Sequence, residues 1–217
     1  TIGLIFVLNI LAISSPPYGT PDAPDVRVIT GPMGFLLLLA SPALTMRLVA
    51  DEVRMGTMEL LLTAPLRDHE LIIGKWLGAF FFILSLVMVT LVFPILLNRM
   101  VDPGIDQLQM ISCYLGVLLV AATFLALGVG ISALFSNQIA AFFTTLVLFV
   151  VLWWLIGAPA DILITGGDVF RYVNMSAYFY NNFNEGIVSL SGIVYYLSLT
   201  GLGLFIGSAA VEVRRWR

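Results

Sequence analysis

The chain has 217 residues, 60% of them hydrophobic and 11% charged, with a formal net charge of −3 and a mean hydropathy of +1.03. A soluble domain carries about one-quarter charged residues, and too little polar surface remains here to cover a water-exposed core. The composition therefore excludes a soluble globular domain and predicts an all-α integral membrane protein. The charge balance leaves no footprint for nucleic acid, and a single His69 and a single Cys113 exclude a site built on several such ligands and an intrachain disulfide.

A spanning helix needs about 20 apolar residues. The first apolar run, 2–13, rises only roughly 18 Å, so residues 1–13 read as a partial first span with an incomplete N-terminus. No charged flank precedes this run and no small-residue cleavage pattern follows it, so it is not read as a signal peptide. Residues 14–32 (SSPPYGTPDAPDVRVITGP) are rich in proline, glycine and aspartate and read as a loop. The second span is 33–49, where Pro42 should kink the helix near Ser41. The remaining spans are 71–97, 108–135, 139–157 and 189–211, making six in all. Within them, Gly74 and Gly78, and Gly203 and Gly207, form two small-xxx-small pairs expected to pack helices within one subunit. Trp153 and Trp154 are expected to anchor the outer end of the fifth span, and the 158–188 segment, with Tyr172, Tyr178, Phe179, Tyr180 and Phe183, should form short helices dipping into the outer leaflet.

Lysine and arginine orient the spans. With 50–70 and the C-terminus inside, Arg47, Arg54, Arg67, Lys75, Arg214, Arg215 and Arg217 are cytoplasmic, whereas Arg27, Arg99 and Arg171 are outside. Both termini are then cytoplasmic. The span centres hold Asn9, Ser85, Thr90, Thr123, Thr144 and Thr145 but no charge, which disfavours a proton-driven carrier. No His/Glu cluster, Asp pair or Ser/Lys dyad lies in the spans, so neither a metal site nor an intramembrane enzyme is read here.

One segment does not fit a bare bundle. Residues 51–64 (DEVRMGTMELLLTA) are too charged to span and too apolar for a plain loop. Helical spacing puts Val53, Thr57, Leu60, Leu61 and Ala64 on one face and Glu52, Gly56, Glu59 and Thr63 on another, with Pro65 stopping the helix. Its two acidic residues disfavour adhesion to an anionic leaflet and favour a cytoplasmic partner, with Glu52 and Glu59 facing basic residues and Gly56 permitting close approach.

The run EVRMGTMELLLTAPLRDHELIIGKWLGA resembles the signature of permeases of the ABC-2 exporter superfamily, through Glu52, Gly56, Thr57, Glu59, Leu60, Leu61, Pro65, Gly74 and Lys75. LALGVGISALFSNQIAAFF and the C-terminal FNEGIVSLSGIVYYLSLTGLGLFIGSAAVEVRRW occur in the matching order, the last resembling a branch associated with bacterial gliding motility. The resemblance implies that 51–64 is a coupling helix seated in a cleft of an ATP-hydrolysing subunit, and that 158–188 caps the pathway. It also implies two permease subunits with two P-loop ATPases, in a bacterial cytoplasmic membrane. No G-x-x-x-x-G-K-[ST] run is present, so ATP and Mg are expected in the partner and no cofactor on this chain. The alternative is a non-transporting anchor or force-transmitting subunit of a larger membrane assembly.

Overall fold

The structure is a computed structural model, and it describes residues 26–57, 67–100, 105–157 and 172–215. Among these residues the regular elements are helical. They are α1 Arg27–Thr45, α2 Ala50–Met55, α3 Asp68–Thr90, α4 Val92–Met100, α5 Gln107–Leu134, α6 Gln138–Val150, α7 Met175–Asn181 and α8 Leu190–Arg215. A π-helical turn, Val151–Leu155, continues α6, and a 3-10 turn, Phe183–Glu185, follows α7. Five segments are long and apolar enough to cross a membrane: Ile29–Met55, Asp68–Leu96, Gln107–Leu134, Gln138–Leu155 and Leu190–Arg214. They overlap the apolar runs from 33–49 onward, and the chain is an all-α multi-pass membrane protein. The predicted partial span 1–13 lies outside the described residues.

Polar caps set several helix starts. Glu70 accepts the Arg67 backbone N–H (3.0 Å) at the head of α3, where Asp68 and Glu70 also suit the positive helix end. Asp106 accepts from Leu108 N (2.9 Å) and Gln109 N (3.3 Å) at α5, and Asn137 accepts from Ile139 N (2.9 Å) at α6.

Two span boundaries near prolines differ from the sequence reading. Helix α1 begins at Arg27, so the predicted loop to residue 32 is partly helical and Pro32 lies within it. Val26, Ile29 and Met33 are buried along that stretch, and this packing outweighs the amide lost at Pro32. The predicted span 71–97 divides at Leu91 into α3 and α4. Pro94 cannot donate to the carbonyl four residues back, Thr90 O, and the Tyr114 hydroxyl of α5 donates to that oxygen instead (3.2 Å). At Pro42, inside α1, the Leu38 carbonyl likewise lacks an amide donor. The hydroxyls of Ser41 and Thr45 bond Leu37 O (2.7 Å) and Ser41 O (2.8 Å) on the flanking turns.

Helix α5 is the centre of the bundle. It packs against α1, α3, α6 and α8 and is buried through most of its length from Ser112 to Ala133. Its closest partner is α8. A Cβ on Gly203 would lie 2.6 Å from Ala126 C and from Leu127 N, and one on Gly130 would lie 2.5 Å from Gly203 O. Gly207 faces Gly130 and Ile72 at the same crossing. Here the absence of side chains lets two backbones touch. Gly74 and Gly78, expected to pack in the same way, meet nothing within 4 Å among the described residues. Trp153, expected as an interfacial anchor, is instead 1% exposed, against 51% for Trp154. It packs on Phe124 and Phe179 with ring centroids 5.7 and 5.8 Å apart, because the π turn that carries it rotates its side chain into the core.

Overpacking a tight contact costs about 1–3 kcal/mol, and each kcal/mol shifts the unfolding midpoint of a chain this size by about 2–4 °C. Gly203→Ala should therefore lower the midpoint in detergent by several degrees, whereas Gly74→Ala should leave it unchanged or raise it. Equal midpoints for the two variants would contradict the glycine crossing.

Candidate functional site

The two ends of the bundle differ in character. At one end, α7 and the 3-10 turn fold back into the bundle, with Met175, Phe179 and Phe183 fully buried. Phe183 fills a socket made by Gly116 on α5 and Gly192 on α8, where a Cβ would lie 2.5 Å and 2.9 Å from its side chain. The irregular backbone here is bonded by side chains of the spans. Ser112 donates to Phe183 O (3.0 Å), Tyr196 to Met175 O (2.9 Å) and Tyr195 to Val173 O (2.6 Å). Thr30 donates to Asn184 Oδ1 (2.7 Å), and Arg27 pairs with Glu185 (2.8 Å). Partial burial raises the Tyr180 phenol above its ordinary pKa, and its hydroxyl donates to Gly31 O (3.2 Å). The segment 158–188 was expected to form short dipping helices, and its residues 158–171 lie outside the described residues. Phe179 and Phe183, read as interfacial, are core residues, while Tyr172 is exposed.

The opposite end carries the charged segment that the sequence singled out. A single helix over 51–64 was predicted, with Gly56 inside it. The structure closes α2 at Met55, and Gly56 takes a left-handed conformation (φ +72°) with its N–H on Val53 O. Only glycine adopts that geometry freely, which makes it a helix stop. Thr57 is exposed and donates its hydroxyl to Glu52 O (3.3 Å). Glu59, Leu60, Leu61, Thr63 and Pro65 lie outside the described residues.

Three tethers hold α2 to three different spans. Ser132 of α5 accepts from Val49 N (3.4 Å) and Ala50 N (3.1 Å) and donates to Met46 O (3.3 Å). Its hydroxyl thus serves both the free carbonyls of α1 and the free amides of α2. With its amide oriented to suit both partners, Gln138 of α6 donates to Asp51 Oδ1 (2.8 Å) and Oδ2 (3.2 Å). Lys75 of α3 donates to Leu48 O and Glu52 Oε1, each at 2.6 Å. Glu52, read as a partner contact, therefore bonds within the chain. Its Oε2 is buried without a hydrogen-bond partner among the described residues. A small apolar cluster of Val49, Ile72, Val129, Ala133 and Val211 underlies the tethers. Arg54 and Met55 point outward, Met55 being 62% exposed.

Sequence reasoning missed Ser132, Gln138 and the partner of Lys75, because each bond joins residues far apart in the chain. No group of three His, Cys, Asp or Glu able to hold a metal occurs among the described residues. Between α1 and α3, floored by Val117, runs an apolar groove of about 280 Å³ whose only hydroxyl-bearing lining residue is Thr90.

A family model described as ABC-2 family transporter protein matches residues 8–170. No curated protein matches the chain.

Removing the Ser132 hydroxyl leaves two buried amides unbonded, each costing about 1–3 kcal/mol. Ser132→Ala should raise hydrogen exchange at Val49 and Ala50 by about tenfold or more. Unchanged exchange at both amides would show that the hydroxyl does not hold them.

Proposed function

Because the chain belongs to the ABC-2 family of transporter proteins and is a permease component of an ATP-binding-cassette transporter, we propose that it is the membrane-spanning part of an exporter driven by a separate P-loop ATPase. The observation that supports this reading most directly is the construction of α2. A short charged helix joins two spans, is tied to α3, α5 and α6, and turns Arg54 and Met55 to solvent. A partner that displaces it displaces three spans together. The ATPase would bind α2 and the following residues, with Gly56, Thr57, Glu59, Leu60, Leu61, Thr63 and Pro65 as its contact surface. Glu52 would contribute through the position it gives α2. ATP and Mg belong to that partner, and a second permease copy or homologue completes the pathway.

The permease would sit in a bacterial cytoplasmic membrane with the α2 end inside. The basic residues support that orientation: Arg47, Arg54, Arg67, Lys75 and Arg214 cluster toward the α2 end, whereas Arg27 and Arg99 lie toward the other. ATP binding would shift the population between inward- and outward-facing arrangements of the spans. The inserted segment Met175–Glu185 would cap the pathway.

Mass spectrometry of the gently solubilised complex should find a P-loop ATPase at near-equal stoichiometry, and its absence would argue for an anchoring subunit instead. In that complex, Glu59→Lys should slow ATP hydrolysis roughly tenfold, since like charges across an interface cost several kcal/mol, with assembly retained. Orientation has its own check, aided by the buried position of Cys113, the sole native cysteine. Met55→Cys should react with an impermeant maleimide only in inside-out vesicles and Tyr172→Cys only in right-side-out ones. The reverse pattern would invert the topology.

A further inference from the structure

We propose that Lys75 is the positioning residue that makes α2 and α3 move as one body, through its bonds to Glu52 and to the Leu48 carbonyl. This inference rests on the reading of α2 as the segment an ATPase drives.

The geometry joins three elements at one nitrogen. Lys75 lies seven residues into α3, about 10 Å along its axis, and its four-carbon stem brings the ammonium back toward the end of the bundle. There it meets Leu48 O in the turn after α1 and Glu52 Oε1 on α2, both at 2.6 Å. The Leu48 carbonyl lies in the turn that joins α1 to α2, so the cation bonds that turn and the α2 carboxylate together. The pair is largely shielded, Lys75 being 14% and Glu52 26% exposed. Of the three ion pairs identified among the described residues, this one joins α2 to α3.

The contacts of α2 explain why this bond matters. The Ser132 hydroxyl and Gln138 amide fix α2 to α5 and α6. Toward α3, the contact is Lys75 together with the apolar cluster around Ile72 and Val49. Apolar surfaces slide with little directional preference, whereas a charge-assisted hydrogen bond fixes distance and direction. A displacement of α2 is therefore delivered to α3 in a defined direction through Lys75. The carboxylate that pattern reading assigned to the partner's surface faces inward and acts on the partner's behalf.

The test uses the complex purified with its ATPase. Spin labels at Met55→Cys and Val89→Cys report the distance from α2 to the far end of α3, and a Met55→Cys/Leu202→Cys pair reports α2 against α8. Both are measured by pulsed electron–electron spectroscopy, without nucleotide and after ATP–vanadate trapping. With Lys75 present, trapping should change the Met55–Leu202 distance and leave Met55–Val89 unchanged. With Lys75→Gln, Met55–Val89 should also shift or broaden on trapping, by about 2 Å or more, the scale of helix shifts in switching proteins. The exchanged pair Glu52→Lys/Lys75→Glu should restore the fixed distance, which a side chain serving only to fill space would not do. If Lys75→Gln fails to assemble, Glu52→Gln removes the same ion pair from the more exposed side, with the same expected loosening. An unchanged Met55–Val89 distance in the variant, while Met55–Leu202 still responds, would overturn the role of Lys75 and leave the transporter reading intact. Absence of a co-purifying ATPase, or no response of either pair to trapping, would remove that reading and this inference with it.

Discussion

Hydrocarbon offers no partner to a free carbonyl or amide, and the irregular backbone of this chain is arranged around that constraint. Three irregular stretches among the described residues lie against hydroxyls from another span. Tyr114 bonds Thr90 O, which Pro94 leaves without an amide. Ser132 bonds both sides of the gap between α1 and α2. Ser112, Tyr195 and Tyr196 bond carbonyls of the inserted segment. The donors come from α5 and α8, the two helices in closest contact. Thr123 strengthens that contact by donating to Tyr196 O (3.0 Å) across the interface. The polar residues of these spans thus serve the backbone first, in keeping with the absence of charge from the span centres.

The α5–α8 crossing then sets how the bundle can deform. Where Gly130 meets Gly203 the backbones are in contact, and packed interiors respond to load by discrete shifts rather than by continuous bending. Helix α3 meets its neighbours differently. It approaches α1 across an apolar groove of about 280 Å³, and its Gly74 and Gly78 face open space among the described residues. The bundle therefore has a close-packed seam, α5 with α8, and a looser one, α3 with α1. The tethered α2 sits at the end of the looser seam.

Much of this was legible in the sequence and some could not be. Five spans follow from apolar runs, because a 30 Å hydrocarbon layer demands long uninterrupted helices. Their interruptions follow a different logic. Pro94 was visible, yet the helix break it causes depends on Tyr114, which supplies the missing donor from twenty residues away. Gly56 carried a signal that the periodicity obscured. A glycine after a charged helical turn is a common stop, but the apolar residues beyond it continued the pattern and favoured one long helix. The inward turn of Trp153 arises from a π turn that no spacing rule marks. Gly203 and Gly74 have the same motif, and only tertiary contact distinguishes a packed glycine from an open one. The charged segment stood out in the sequence, while the intrachain partners of its charges were beyond reach, since Glu52 and Lys75 are 23 residues apart.

Placing Glu52 against Lys75 changes the physical argument for how such a segment works. A solvated carboxylate on a docking surface contributes mainly to recognition, and a rim charge of that kind adds little affinity. A carboxylate bonded to a lysine of another span contributes geometry. A partner can shift a two-state equilibrium only as far as it binds the two states differently, so the surface it touches must differ in position between them. Tethers to α3, α5 and α6 ensure that α2 cannot change position alone. Any preference the partner has for one placement of α2 therefore becomes a preference for one arrangement of the spans. In the proposed coupling, the exposed end of the segment would determine what binds, and the bonded end what that binding accomplishes.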